Sequence, residues 1–324
     1  MEIDMGNDRQ ELKWYKFDNR YRSVYFKLVI MSLLYVFPII LVNVCYNDDL
    51  ARAMYGATGW NGDGRPLGEL LILLLCGGEP IVDLAPLPLI LSVLVLSYAL
   101  VVYARIYLNF ITSEYIQIII LLSVLMNPFA ISNLSYRFDC IIMFTALSVP
   151  FILFSASDAL SLRKIFVYSV IAGIVVMCLY QPALGMFIIL FIVHSFFVVV
   201  ERRKASTGLD IMCGVGAGVL FYKWIIARCF VDPEGWRHEA SKIVDFSFQS
   251  VKTVAFNLKA YAEYIMDYAA QISLLNQIAL GAVIILSITT ILVMYCRGNS
   301  ERKLWKFLKI IFLAVSPMAV LGAV

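Results

Sequence analysis

Charge is scarce in this chain. Only 15% of its 324 residues are Asp, Glu, Lys or Arg, while 61% are hydrophobic; a soluble domain carries nearer a quarter charged residues. The deficit excludes a soluble globular domain and predicts an all-α polytopic membrane protein. A net charge of +3 leaves no footprint for nucleic acid. Cysteine is sparse: seven residues, mostly single within apolar runs and never in CxxC spacing, which reads as small buried hydrophobes rather than metal ligands or disulfides. No DxD signature occurs, and an adjacent Asp pair is poor evidence for a metal, so neither metal nor cofactor is expected. The paired intramembrane acids of a proton-coupled pump are missing, as is any pair of broken helices marking an inverted repeat. His194, alone in an apolar run, reads as buried and structural. The N-terminus carries Glu2, Asp4, Asp8 and Glu11, unlike a cleavable signal, so the first apolar run is expected to stay as an anchor.

What the chain does have is apolar runs. Spans are expected at about 26–45, 85–107, 113–131, 140–157, 164–181, 183–200, 209–227, 273–296 and 306–324, roughly nine in all. Residues 1–25 precede them as a basic and aromatic segment (Lys13, Trp14, Tyr15, Lys16, Arg20, Tyr21, Arg22) suited to a membrane interface. With the N-terminus cytoplasmic, every inner loop carries a basic residue and most of the 26 Lys and Arg lie on that side, as the positive-inside rule requires. Segments 46–84, 127–139 and 228–272 then face outward, into the periplasm of a Gram-negative cell. Residues 67–76 are too short to cross and stop at Gly77-Gly78-Glu79-Pro80, so they read as an interfacial helix. In the third outer segment, Val244, Phe248, Val251, Ala255, Leu258, Ala262 and Ile265 share one helical stripe, which predicts an amphipathic helix lying on the membrane surface. It could roof a site, dock an acceptor, or serve only as scaffold.

The chemistry concentrates in Tyr46-Asn-Asp-Asp-Leu-Ala-Arg-Ala-Met-Tyr-Gly-Ala-Thr-Gly-Trp-Asn-Gly-Asp-Gly-Arg-Pro-Leu67. Asp48 and Asp49 open a short predicted helix that runs to Tyr55 and is ended by Gly56. Arg52 sits four and three residues on, so a carboxylate and the guanidinium share a face. Three arginines, Arg52, Arg65 and Arg137, lie in outer segments against the charge bias. Each is close in sequence to an acid: Asp48 and Asp49, Asp63, and Asp139. They read either as contacts to a bound anion or as structural ion pairs. Transfer of a sugar from a lipid phosphate needs a base for the acceptor hydroxyl and fixed positive charge where the phosphate departs. Asp48 or Asp49 could be that base, and Arg52, Arg65 or Arg137 could hold the phosphate bidentately. Asp63, Asn133, Tyr136, Asp139, Gln181 and Lys223 complete the set of candidate contacts. Trp60 reads as a stacking surface for a sugar or as an interfacial anchor.

The stretches Tyr46–Arg52, Gly59–Leu67 and Asn133–Asp139 resemble the Gtr-type glucosyltransferases that modify bacterial O-antigen, including those carried by serotype-converting phages. The resemblance covers the chain from about residue 20 onward. It implies a GT-C-like membrane bundle with an extended first periplasmic loop, and a site on the periplasmic face of the inner membrane. The implied donor is undecaprenyl-phosphate-glucose and the implied acceptor lipid-linked O-antigen, with membrane lipids and possible donor synthase and flippase partners, and no nucleic acid. It carries the base over to Asp48 and Asp49, and a phosphate contact to Arg52. Family members continue further, so a C-terminal part is expected to be missing. The alternatives are a flippase of lipid-linked sugar, which should line its spans with charge, or an inactive remnant.

Overall fold

The structure, a computed structural model, describes residues 17–126, 128–199, 205–231 and 248–271, together with 273, 274, 277 and 278. All regular structure among them is helical. The chain divides into two compact units, Met1–Leu190 with Ser206–Ala240, and Phe191–Ala205 with Ser241–Val324.

The first unit holds the elements around the acidic loop. Helix α1 (Asn19–Val42) starts where the Asp18 carboxylate accepts from Tyr21 N at 2.9 Å and stops where Asn43 turns left-handed at φ 50°, a common helix ending. Val24, Leu28, Ser32 and Val36 are buried at a spacing of four residues, while Phe26, Ile30, Leu34 and Leu41 are exposed on the other sides. An apolar helix with an exposed apolar face is fit for lipid.

After α1 come two short helices, α2 (Asp49–Tyr55) and α3 (Pro66–Cys76), and then α4 (Leu87–Tyr107), α5 (Glu114–Leu125), α6 (Pro128–Ser135) and α7 (Asp139–Ala156). Helices α4 and α7 pack on each other in this unit, and most of each is buried. Helix α1 packs against α4 and α5, and α8 (Leu162–Leu179) against α7. Helix α9 (Leu184–Val199) follows, then α10 (Ala205–Phe221), which continues through a π turn at Tyr222–Ile226 into α11 (Ala227–Phe230). Helices α8 and α10 approach closely because small residues line the seam. A Cβ on Gly218 would run into the Val170 carbonyl, and one on Gly214 would lie 2.5 Å from Ser169 Cβ, the small-residue packing typical of membrane helices. In the second unit, the helix Phe248–Gln271 fills most of the stretch where the amphipathic stripe predicts one.

Among the described residues, five helices are long and apolar enough to cross a membrane: Asn19–Val42, Leu87–Tyr107, Asp139–Ala156, Leu162–Leu179 and Ser206–Phe230. They coincide with five of the expected spans. The expected span 113–131 is split between α5, twelve residues long and so roughly 18 Å at 1.5 Å per residue against a hydrocarbon core of about 30 Å, and the first four residues of α6. That at 183–200 is a helix of 16 residues. The span expected at 306–324, all but four residues of that at 273–296, and most of the basic segment 1–25 lie outside the described residues. The second polar segment is built from α6, about two turns of helix, and residues 136–138 lead from it into α7.

Candidate active site

The short elements between α1 and α4 build the site. Asp48 precedes α2, and Gly56 ends it at φ 61°. The backbone there is fixed from two sides: Gly56 O accepts from Ile81 N at 3.1 Å, and a Cβ on Gly56 would meet Pro80 Cβ at 2.6 Å. Glycine is required on both counts. The turn-rich stretch that follows is wound around one buried acid, Glu69 of α3. Its carboxylate accepts from Gly59 N at 3.2 Å, from Asn61 N at 2.9 Å, and from the Asn61 side chain. Pro66 then starts α3 in the first helical position, where its missing N–H costs nothing.

This winding carries Trp60 inward. Its side chain is 0% exposed, so neither of the roles expected for it, sugar stacking or interfacial anchoring, is open to it. Its indole N–H donates to Asp139 Oδ1 at 2.7 Å, and the Arg52 guanidinium lies 3.8 Å from its ring centroid, a cation–π contact. Asp139, the first residue of α7, is the hub. Arg52 Nε is 3.8 Å from its Oδ2 and Arg65 Nη1 3.9 Å from its Oδ1. Both are ion-pair distances without hydrogen-bond contact. One buried carboxylate thus serves two guanidiniums.

Arg65 is aimed by a second set of groups. Its Nε donates to Gln181 Oε1 at 3.1 Å, and its guanidinium lies 5.4 Å from the Tyr180 ring centroid. Burial raises the Tyr180 phenol above its ordinary value, against the opposing pull of Arg65 and of a hydrogen bond with Asn133. The Gln181 amide is oriented in turn by the carbonyls of Asp63 and Gly64 and by the Tyr222 hydroxyl, each at 3.5 Å. Tyr222 OH donates to Gly64 O at 2.5 Å. Gly64 has φ 73°, and a Cβ there would strike that hydroxyl. Tyr222 stands on the π turn, a distortion frequent at functional sites.

The two adjacent aspartates have different surroundings. Asp49 is fully buried and accepts backbone N–H groups from Tyr46 at 3.2 Å and Arg137 at 2.9 Å. Burial pushes its carboxyl above the usual carboxylate range; the backbone donors pull the other way. Asp48 is 47% exposed and pairs with Arg52 at 3.5 Å across one helical turn. Arg137 is committed elsewhere. It pairs with Asp83 and donates to Asn43 O at 2.7 Å, to the Asn43 side chain and to Val44 O. Tyr136 OH accepts from Asn47 Nδ2 at 2.7 Å.

The geometry therefore gathers Asp48, Arg52, Arg65, Asp139 and Gln181 with the Asp63 carbonyl, and brings Asn133 to Tyr180. Tyr136 and Arg137 stand with Asp49 in an adjoining cluster. Lys223 is exposed, and its neighbour Tyr222 contacts the site instead. Glu69, Tyr222 and Asp83 were not among the expected residues. Glu69 is legible as the one acid in an otherwise apolar stretch, whereas Tyr222 carries no local signal.

Residues 37–324 match the family described as Glucosyl transferase GtrII. The chain belongs to this glucosyl transferase family. Among curated proteins it is similar to an uncharacterized 55.3 kDa protein in the gtrB 5′ region of Salmonella phage P22. The two are 30% identical over 237 residues, 71% of this chain and 48% of the relative. The chain thus spans about half the length of that relative. No solved structure matches it.

Proposed function

We propose that this chain is a membrane glycosyltransferase that moves glucose, or another hexose, from undecaprenyl-phosphate-sugar to the O-antigen of lipopolysaccharide. The proposed setting is the periplasmic face of the bacterial inner membrane, with the N-terminus in the cytoplasm. One observation carries the reading: Asp48, half-exposed and paired with Arg52, stands beside two guanidiniums that share the single buried carboxylate of Asp139. Family membership supports the reaction class.

In this reading Asp48 is the base. It takes the proton of the acceptor hydroxyl as that oxygen bonds to the anomeric carbon. The bond between the anomeric carbon and the phosphate oxygen breaks, and the electron pair leaves with the phosphate. Arg52 and Arg65 hold the departing phosphate, whose charge grows as the bond breaks, so their attraction is strongest in the transition state. A guanidinium has five N–H donors; Asp139, Gln181 and Trp60 fix the orientation of the pair and leave donors for an anion. Asp49 is assigned a scaffold role, since its carboxylate is buried among backbone donors. Asp139 and Gln181 position the arginines. Asn133 positions Tyr180, and Arg137 and Tyr136 brace the loop. Asp63 contributes its carbonyl, and Lys223 is left outside the site.

The test is glucose incorporation into O-antigen, read by mass spectrometry of the repeat unit, in cells carrying the wild type, Asp48→Asn or Asp49→Asn at matched membrane levels. Abolition by Asp48→Asn with normal insertion is expected. Full activity of Asp48→Asn would remove the base assignment, and a reporter fused near residue 78 and found in the cytosol would remove the proposed donor.

A further inference from the structure

Tyr222 takes no part in the proposed reaction, yet its hydroxyl closes on the loop that carries Arg65. Three observations give it a task. First, it holds the peptide unit that leads into Arg65. The Gly64 carbonyl accepts from the Tyr222 hydroxyl at 2.5 Å, and the N–H at the other end of the same unit, that of Arg65, donates to Trp60 O at 2.8 Å. A planar unit held at both ends cannot swing, so the point from which the Arg65 side chain departs is fixed. Second, the same hydroxyl accepts from Gln181 Nε2 at 3.5 Å, and Gln181 Oε1 accepts from Arg65 Nε at 3.1 Å. One phenol thus reaches both the root and the head of the Arg65 side chain. Third, the helix is distorted where Tyr222 stands. The turn Tyr222–Ile226 is π, with Ala227 N donating to Tyr222 O. A Cβ on Gly64 would lie 2.9 Å from Val231 Cγ2 as well as striking the Tyr222 hydroxyl, so Tyr222 and Val231 flank one glycine. In an unbroken α-helix, residues nine apart leave on opposite sides, about 900° on at roughly 100° each. The extra residue taken up by a π turn removes about 100° of that rotation and brings both side chains toward Gly64.

We propose that Tyr222 is a positioning residue for recognition of the donor phosphate, kept in register by the π turn and acting on Arg65 through Gly64 and Gln181. The proposal rests on the reading in which Arg65 holds the departing phosphate. Without the hydroxyl, Gly64 O loses its short partner. The Gln181 amide then keeps the carbonyls of Asp63 and Gly64 at 3.5 Å, long for an N–H···O bond. The Arg65 head retains Asp139 at 3.9 Å but loses its fixed direction. A guanidinium grips phosphate through N–H groups at set angles, so loss of aim weakens the phosphate contact and leaves Asp48 as it was.

The experiment uses the full chain in nanodiscs. It measures inhibition by undecaprenyl phosphate, the lipid product, alongside donor kcat/KM, acceptor KM and thermal melting. Tyr222→Phe keeps the ring and removes the hydroxyl. It is expected to weaken inhibition and to lower donor kcat/KM by about three- to tenfold each, the size of one hydrogen bond, with acceptor KM unchanged. In an Arg65→Lys background the same substitution should add less than about twofold, because the two act through one contact. Deleting Ile225 returns the turn to α and should reproduce the loss seen in Tyr222→Phe. Normal inhibition in Tyr222→Phe, with weakened inhibition in Arg65→Lys, would overturn the proposal and leave the phosphate reading standing. Normal inhibition in both would overturn the phosphate reading and the proposal with it. Effects that multiply in the double variant, or a lowered melting temperature with normal inhibition, would reduce Tyr222 to a structural residue and overturn the proposal. Normal inhibition in the deletion variant would overturn the register claim. Should Tyr222→Phe or the deletion variant fail to accumulate, Gln181→Met, which keeps the bulk and removes the amide, takes its place: a loss of the same size is expected, and normal inhibition would overturn the proposal.

Discussion

Two arginine clusters stand close together in the acidic loop and its neighbours, and their hydrogen bonding differs. Arg137 is engaged by a carboxylate, a side-chain amide and two backbone carbonyls. Arg52 and Arg65 share one buried carboxylate at ion-pair distance and rest on aromatic rings, with longer contacts from Arg52 to Asp48 and Thr58 O and one hydrogen bond from Arg65 to Gln181. All three arginines break the same charge bias in the sequence. The first cluster is satisfied internally, its guanidinium taken up by loop and helix-end acceptors. The second is oriented without being saturated, which is the condition for meeting a ligand.

The comparison breaks most directly at Asp48. Asp48→Asn removes the proposed base and is expected to lower transfer by about 10² to 10⁴, with little change of thermal stability in detergent, since Asp48 is half-exposed and its pair with Arg52 is long at 3.5 Å. The hub is next. Asp139→Ala leaves two guanidiniums without their shared carboxylate and should cost about 3–5 kcal/mol of stability, read as a lower melting temperature and poor membrane yield. Asp139→Asn keeps the Trp60 acceptor and should fold while raising donor KM. Arg65→Lys against Arg137→Lys is the sharpest version: the first should weaken donor use with near-normal melting, the second should lower melting with kcat retained. Equal kinetic effects from the two would erase the distinction.

The smallest expected effect concerns Asp49. Burial raises its folded-state value above the ordinary 3.8, so the folded protein binds this proton more readily than the unfolded chain. Its contribution to stability is then fully present below the unfolded value and lost as pH rises through the raised folded value. Thermal melts should show wild type gaining on Asp49→Asn as pH falls through that window. The opposite slope would mean that the backbone donors outweigh burial.

The parts of this arrangement that were legible in the sequence are those with local causes. Asp49–Tyr55 ends at Gly56, and the short helix ending at Cys76 is capped by Gly77 at φ 78°; both follow from glycine at a left-handed position. Among the described residues, five of the long apolar runs are helices long and apolar enough to cross a membrane. The division of labour between Asp48 and Asp49 was not legible, because neighbours in sequence point to different sides and the Arg137 backbone decides which one is buried. Trp60 sits in a Gly- and Asn-rich stretch that reads as surface loop; it is drawn inside because Glu69, nine residues on, gathers the backbone N–H groups on either side of it. The helix Pro128–Ser135 was not legible as a separate element, because its opening Pro-Phe-Ala-Ile reads as the end of the preceding apolar run and its Ser-Asn-Leu-Ser as a loop. Tyr222 reaches the loop only through tertiary approach.

That approach has a consequence for biogenesis. The hydroxyl of Tyr222 closes on Gly64 across 158 residues of chain. A nascent chain that has released its acidic loop still lacks this clasp until the helix bearing Tyr222 has itself been made. The surroundings of Arg65 are therefore complete only once residue 222 has been made, and a chain stopped upstream of it would carry the acidic loop without this clasp.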